Sequence, residues 1–198
     1  VTEATRSYRM RARAQAVERT RERVLAVARE RFVRLPYDEV RLAEVAAAAG
    51  VTQQTLLNHF SSKEGLLLAL VDVLGPEIEA LRGPVVPGDV AGFVRGLVRQ
   101  YEALGDANVR LAAAAERIPA LAGGVETARA RHAAWLEEAF AEQLPADPRE
   151  RRRTLAALYA VTDVGTWKLL RRDLGHSRAE TTVVLQSLLR AALAAPIP

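Results

Sequence analysis

An all-α fold of about nine helices in two parts is predicted for this chain by three observations. Apolar residues recur at spacings of three and four, as in Val24, Leu25, Ala28, Phe32 and Leu35, rather than every second position. β-Branched residues rarely alternate with polar ones, so strand signals are nearly absent. Caps, prolines and glycines punctuate the chain at helical intervals.

In chain order, residues 15–34 are expected to form a first amphipathic helix, stopped by Pro36-Tyr37-Asp38. Leu42, Val45, Ala46 and Ala49 mark a short second helix, ended by Gly50, which can take the left-handed conformation of a tight exit. Thr52 caps a third helix to about His59. Ser61-x-x-Glu64 reads as a capping box for a fourth, through Leu66, Leu67, Leu70, Val71 and Leu74. Pro76, Gly83-Pro84 and Pro87-Gly88 then interrupt the pattern, with a loop expected around residues 82–88. One helix is expected from Asp89 to Leu104, broken by Gly105-Asp106, and a short one from Asn108 to Arg117. Another runs from near Pro119 to Gln143, weakened at Gly123-Gly124. Asp147-Pro148-x-Glu150 opens a helix expected to reach Leu174, with Gly175 as its stop. Ser177-x-x-Glu180 is a second capping box, opening a last helix that ends near Ala195-Pro196. The domains expected are residues 1–65, a basic arm with a helix-turn-helix, and residues 66–198, a larger helical domain.

Composition narrows the function. Apolar residues make up 49% and charged residues 26%, which suits a globular protein and sets disorder aside except at the ends. The absence of cysteine excludes a disulfide framework, a thiolate nucleophile and a Cys-based zinc site. No apolar run is long enough for a bilayer span or a secretory signal, so a cytoplasmic protein without membrane association is expected. Residues 1–65 carry twelve Lys and Arg against eight Asp and Glu, whereas residues 66–198 carry sixteen of each. The whole positive excess therefore lies in the first third, much of it in Arg6, Arg9, Arg11, Arg13, Arg19, Arg21 and Arg23. A nucleic-acid-binding segment has this footprint, as does a solvated basic helix.

The chemistry sits between Tyr37 and Phe60. Two short helices joined by a turn at Gly50 have helix-turn-helix spacing. In the second of them Leu56 and Phe60 share one face, which leaves Gln53, Gln54, Leu57 and Asn58 facing outward. Lys and Glu usually populate a solvated face, and here there are amides and a leucine. Gln and Asn can pair with adenine N6 and N7, and an apolar side chain can meet the thymine methyl. Thr55, His59 and Lys63 can reach phosphates, which fix register without reading sequence.

The run from Arg21 to Val71 resembles the DNA-binding domain of tetracycline-repressor (TetR) type regulators. The elements that carry the resemblance are Phe32, Tyr37, Ala49-Gly50-Val51, Thr52 to His59, and Phe60-Ser61-Ser62-Lys63-Glu64-Gly65-Leu66-Leu67. The last two helices, with Thr162 to Leu174, are similar to that family in a less specific way. The resemblance implies base contacts from Gln53, Gln54 and Leu57, phosphate contacts from Thr55, His59 and Lys63, and either from Asn58. Leu57 stands where the family usually has a tyrosine, so only apolar contact is available there. Arg41 replaces the usual Ser or Thr cap of the second helix and is expected to reach a phosphate, and Pro36 replaces a common glycine.

The resemblance also implies a homodimer on a pseudo-palindromic operator in double-stranded DNA, with the last two helices forming a four-helix bundle across the twofold. Interface candidates are Tyr159, Asp163, Trp167, Val184, Leu185 and Leu188, whose apolar members would otherwise complete the core of one chain. By analogy the middle helices enclose an effector pocket, with Phe93, Leu97, Tyr101, Leu111, Ile118, His132, Trp135 and Phe140 as candidate lining. Few charges fall on those inward faces, so a small, mainly apolar effector is expected. The implied function is a transcriptional regulator, a ligand-responsive repressor, with no cofactor and no metal. The chemistry of an enzyme is missing from the pattern. His59, His132 and His176 have no metal-ligand spacing, and no glycine-rich phosphate loop is present. The competing reading is a helical ligand-binding or scaffold protein whose DNA-reading helix has degenerated, which Leu57 and Arg41 keep open.

Overall fold

The computed structural model describes residues 3–194, and every regular element among them is helical. The side chains of Arg6 and Arg9, and the expected last-helix end at Ala195-Pro196, lie outside the described residues. The chain forms two compact units, the first up to Val73 and the second from Leu74.

The first unit holds α1 (Glu3–Arg34), a 3-10 turn (Tyr37–Glu39), α2 (Leu42–Ala48), α3 (Gln53–Phe60) and α4 (Lys63–Val73). The first helix starts well before the expected residue 15. Residues 10–19 are exposed throughout, so intrinsic propensity of Arg, Ala and Gln rather than burial carries this extension. From Val24 onward α1 turns a stripe of Val24, Leu25, Ala28 and Phe32 into the core, against α2 and α4. The unit extends beyond residue 65 because Leu66, Leu67 and Leu70 of α4 are buried with that stripe. At the start of α4 the expected Ser61 box is replaced. Ser61 has φ +64° and closes α3, while Ser62 Oγ accepts the Gly65 N–H at 3.0 Å. Glu64 is thereby released for another partner.

The second unit holds α5 (Gly75–Arg82), α6 (Val90–Ala115), a 3-10 turn (Pro119–Leu121), α7 (Ala122–Phe140), α8 (Pro148–Thr162), α9 (Val164–Lys168) and α10 (Arg178–Ala194). A π-helical turn, Leu169–Asp173, extends α9. Pro76 opens α5 rather than breaking structure, as suits a residue whose missing N–H falls in the first turn. Asp89 caps α6 by accepting the Gly92 N–H at 2.9 Å. Both expected capping motifs further on are present. Asp147 accepts from Arg149 and Glu150, and Ser177 and Glu180 bond reciprocally at 2.7 and 3.1 Å.

Two expected helix boundaries move. The helix expected to run through to Leu174 breaks at Asp163, which is extended at ψ 149° and caps α9 by accepting the Gly165 N–H at 2.7 Å. The break expected at Gly105-Asp106 is absent, and α6 runs unbroken for 26 residues. The reason is packing. A Cβ on Gly105 would lie 2.5 Å from the Trp167 ring, so glycine here permits close approach instead of ending a helix. Trp167 is fully buried, donates from Nε1 to Glu102 at 3.2 Å, and lies beside Tyr101. Arg171 grips the same Glu102 with two hydrogen bonds of 2.7 and 3.0 Å.

Gly105→Ala separates these two roles of glycine by sign. If Gly105 were merely a poor helix former, alanine would stabilise by up to about 1 kcal/mol. Overpacking against Trp167 instead predicts a loss of about 1–3 kcal/mol in urea unfolding.

Candidate functional site

Within the first unit, α2 and α3 are joined by a short turn with its own hydrogen-bond logic. Gly50 sits at φ +68°, where its N–H meets Ala47 O at 3.1 Å and the Val51 N–H meets Ala46 O at 3.0 Å. This paired closure satisfies the last carbonyls of α2 and fixes the direction in which the chain leaves it. Thr52, extended at ψ 154°, then accepts the Thr55 N–H at 3.1 Å and starts α3. Buried Val45, Ala46 and Ala49 on α2 and buried Leu56 and Phe60 on α3 close the contact between the helices. Arg23 of α1 reaches Ala49 O at 3.4 Å. The guanidinium of Arg21 lies 4.9 Å from the Phe60 ring centre.

This packing turns one face of α3 outward. Gln53, Gln54 and Asn58 are exposed, and Thr55, Leu57 and His59 are half-buried. Gln54 Nε2 donates to Asn58 Oδ1 at 2.9 Å, so the two amides stand as a pair one turn apart. The hydroxyls of Thr52 and Thr55 are 2.9 Å apart. The face carries no acid; its only ionisable group is His59.

A second constellation braces the start of α4. The Tyr37 hydroxyl donates to the Glu64 carboxylate, and its ring stacks 6.2 Å from Phe32. Lys63 places its ammonium 4.3 Å from the centre of the Tyr37 ring. Burial holds the Lys63 pKa below the ordinary lysine value, against the pull of Asp38 and Glu64. The Tyr37 hydrogen bond draws Glu64 below the usual carboxylate range, while burial and Glu64 push the Tyr37 phenol up. Lys63 is thus a half-buried cation stacked on an aromatic ring. Arg41 precedes α2 without capping it, is largely exposed, and lies 3.8 Å from Glu44, which Arg31 holds at 3.0 Å.

In the second unit the expected pocket residues separate. Leu97, Tyr101, His132 and Phe140 are buried in packed core, where Tyr101 donates to Thr162 O at 2.9 Å and His132 Nε2 lies 2.8 Å from Thr162 Oγ1. Burial lowers the His132 pKa to about 3, so its ring is neutral. Leu111 and Ile118 are half-buried. Phe93 and Trp135, stacked with centres 3.8 Å apart, line a hollow of about 230 Å³. The remaining lining includes Arg82, Asp89, Arg95 and Arg99, charged residues that the apolar pattern did not single out. The spacing of Arg95 and Arg99, four apart beside Phe93 on one helix, was the available signal.

The interface candidates divide as well. Trp167 and Leu185 are fully buried within the unit and so present no surface. Asp163 serves as a helix cap, while Tyr159 and Val184 are half-buried. Leu188 is 43% exposed on α10, and Val183, on a different face of that helix, 62%. Sequence reading had not separated the inward from the outward faces of these helices.

Residues 24–70 match the model for bacterial regulatory proteins of the tetR family. A TetR-family transcriptional regulator from Streptomyces coelicolor superposes with a TM-score of 0.71 at 18% identity, covering 91% of this chain and 90% of the other. A protein assigned to the same family from a Rhodococcus species gives a TM-score of 0.68 at 20% identity, covering 89% and 99%. One from Mesorhizobium loti gives 0.62 at 20% identity, covering 90% and 96%. No curated protein matches the chain. The class follows: a helix-turn-helix domain within the fold of bacterial transcriptional regulators. Residues 24–70 carry the segment that defines the tetR-family model, and over the rest of the chain the likeness to these regulators is one of fold.

Removing one hydroxyl tests the brace beside the recognition helix. Tyr37→Phe is expected to destabilise the protein by about 1–2 kcal/mol at neutral pH, as a bond to a charged acceptor is lost. Because folding depresses the Glu64 pKa, its stabilisation is present above the unfolded carboxylate range and lost as pH falls through the folded value. The difference between wild type and Tyr37→Phe in thermal unfolding should therefore shrink in acid.

Proposed function

We propose that the chain is a sequence-specific DNA-binding transcriptional regulator, acting as a homodimer on a pseudo-palindromic operator and as a repressor released by a small, mainly apolar effector. The observation that carries this reading is the outward face of α3. It offers the exposed amides of Gln53, Gln54 and Asn58 beside Leu57, with no acid to repel a phosphate backbone. Amides fit adenine edges, and Leu57 fits a thymine methyl. Thr55, His59, Lys63 and Arg41 supply phosphate contacts at the margins of that face. Gln54 donates to Asn58, so Asn58 can orient Gln54 as well as make contact itself. On this reading the protein works in the cytoplasm, where its DNA target lies.

One recognition helix reads only a few base pairs, and two on a twofold gain affinity and specificity together. Leu188 on α10, with half-buried Val184 one turn before it, offers apolar surface for that pairing. Release follows if the effector prefers a conformation whose recognition helices no longer fit the groove, and a coupling of about 1–3 kcal/mol lowers DNA affinity about 5–150-fold. The competing scaffold reading rests on Leu57 and Arg41, which depart from the family pattern.

Genomic fragments recovered with the purified protein at physiological salt, then sequenced, should be enriched in a short palindrome. Featureless recovery that disappears with added salt would favour the scaffold reading. On the enriched site, Gln53→Ala or Gln54→Ala should cost about 1–3 kcal/mol and relax preference at one base position per half-site. Equal losses on random DNA would remove those residues from base reading. Leu188→Asp should lower the dimer fraction in sedimentation, and an unchanged profile would rule α10 out of the interface.

A further inference from the structure

The 230 Å³ hollow of the second unit has a chemical character that neither its position nor the family explains. It is formed by the end of α5, the loop that follows, the first turns of α6 and one face of α7. Its walls are apolar: the stacked pair Phe93 and Trp135, with Val85, Val86 and Ala139. Its polar groups are three arginines and one aspartate.

The aspartate is already engaged. Asp89 caps α6 through Oδ1, and its Oδ2 lies 4.0 Å from Arg95. Arg82 is the unusual member. Its guanidinium lies 4.0 Å from the Trp135 ring centre, Nε donates to Gln100 Oε1 at 2.7 Å, and Nη2 is 3.4 Å from His132 Nδ1. Both bonded partners are neutral, since burial keeps His132 unprotonated. Glu79, one turn back on α5, acts on Arg82 at a distance without forming an ion pair. A partly buried cation without a carboxylate partner is costly unless an anion completes it. Arg99 uses Nε and Nη2 on the carbonyls of Leu81 and Arg82, at 2.9 and 3.0 Å, which fixes it at the rim. A Cβ at Gly96 would lie 2.2 Å from Arg82 O, so glycine there lets the end of α5 lie close enough to α6 to aim these groups inward.

We propose that this hollow is the effector site and that its occupant is a small organic acid: a carboxylate held by Arg82 and Arg95, on a ring-sized apolar body packed against Phe93 and Trp135. A volume below the roughly 300–1,000 Å³ of drug-sized pockets limits the body to about one ring. Planar guanidinium groups match a carboxylate geometrically, which a lysine pair would not. The word effector rests on the regulator reading above, whereas the ligand class rests on the hollow alone. Arg82 is also the entry to a buried polar chain, through His132 to Thr162 at the end of α8. Drawing Arg82 toward a ligand loosens its hold on that chain.

Calorimetric titration of the full chain with benzoate, phenylacetate, salicylate and hexanoate, each beside its neutral amide, tests the ligand class. At least one acid should bind, with its amide about tenfold weaker or worse, the factor expected for loss of a charge-assisted hydrogen bond. Arg95→Gln, exposed and in one loose ion pair, should weaken the acid about tenfold without moving the unfolding midpoint. Arg82→Gln should weaken it at least as much. Failure of every acid to bind, equal binding of acid and amide, or an unchanged affinity in Arg95→Gln overturns the proposal. Retention of the enriched DNA, measured in parallel, separates the two readings. An acid that binds without loosening DNA upholds the site and ends the release mechanism. DNA released by the amides alone ends the site and leaves the regulator standing.

Discussion

An eight-residue helix cannot stand in water on its own, and the architecture of the first unit follows from that limit. Isolated helices shorter than about 12–15 residues are marginal even with good sequences. The recognition helix α3 therefore exists because Leu56 and Phe60 are buried where α3 packs on α2 and α4, with Arg21 of α1 over the Phe60 ring. Every bond around it serves the same end. The Gly50 turn sets its entry, Thr52 satisfies its first N–H groups, and the positive φ of Ser61 redirects the chain at its exit. The Tyr37–Glu64 bond and Lys63 over the Tyr37 ring hold the following helix in place. A helix fixed on three sides has one face left over, and that face carries amides.

The second unit is organised around α6, which packs on α5, α7, α9 and α10. Its length is possible because Gly105 gives way to Trp167, and its register is held by Glu102 and Asp106 gripping Arg171 and Arg172. Those acid–arginine pairs are settled matters, with each carboxylate drawn below its usual range by the guanidinium it holds. The contrast is with Arg82, which bonds Gln100 of the same helix: Arg171 and Arg172 meet carboxylates, whereas Arg82 meets neutral groups and the Trp135 ring.

Periodicity and capping made the helical class, the helix-turn-helix and the outward residues of α3 legible, because each is encoded within a few consecutive positions. What failed to show was set by residues distant in sequence. Gly105 reads as a break until Trp167 is placed beside it, and Asp163 reads as a stray carboxylate until the backbone bends there to use it as a cap. Ser61 and Ser62 are both plausible caps, and Tyr37 decided between the two arrangements by claiming Glu64. Trp167 and Leu185 looked like surplus apolar surface, yet one chain buries both completely. The arginines of the hollow were passed over because a search for an apolar lining discards charged residues. Burial on one face and charge at its edge is a pattern visible only in three dimensions.

The placement of the indoles has a spectroscopic consequence. The chain has two tryptophans, and both Trp135 and Trp167 fall in the second unit, whereas the first contains only tyrosine and phenylalanine among its aromatic rings. Emission excited selectively from indole is therefore blind to the helix-turn-helix. The two indoles also sit in different surroundings: Trp135 lies beneath Arg82 at the hollow, and Trp167, with Arg172 over its ring, is sealed against Gly105. A change in the first without the second would mark an event at the hollow, and a joint change would mark loosening of the whole helical body.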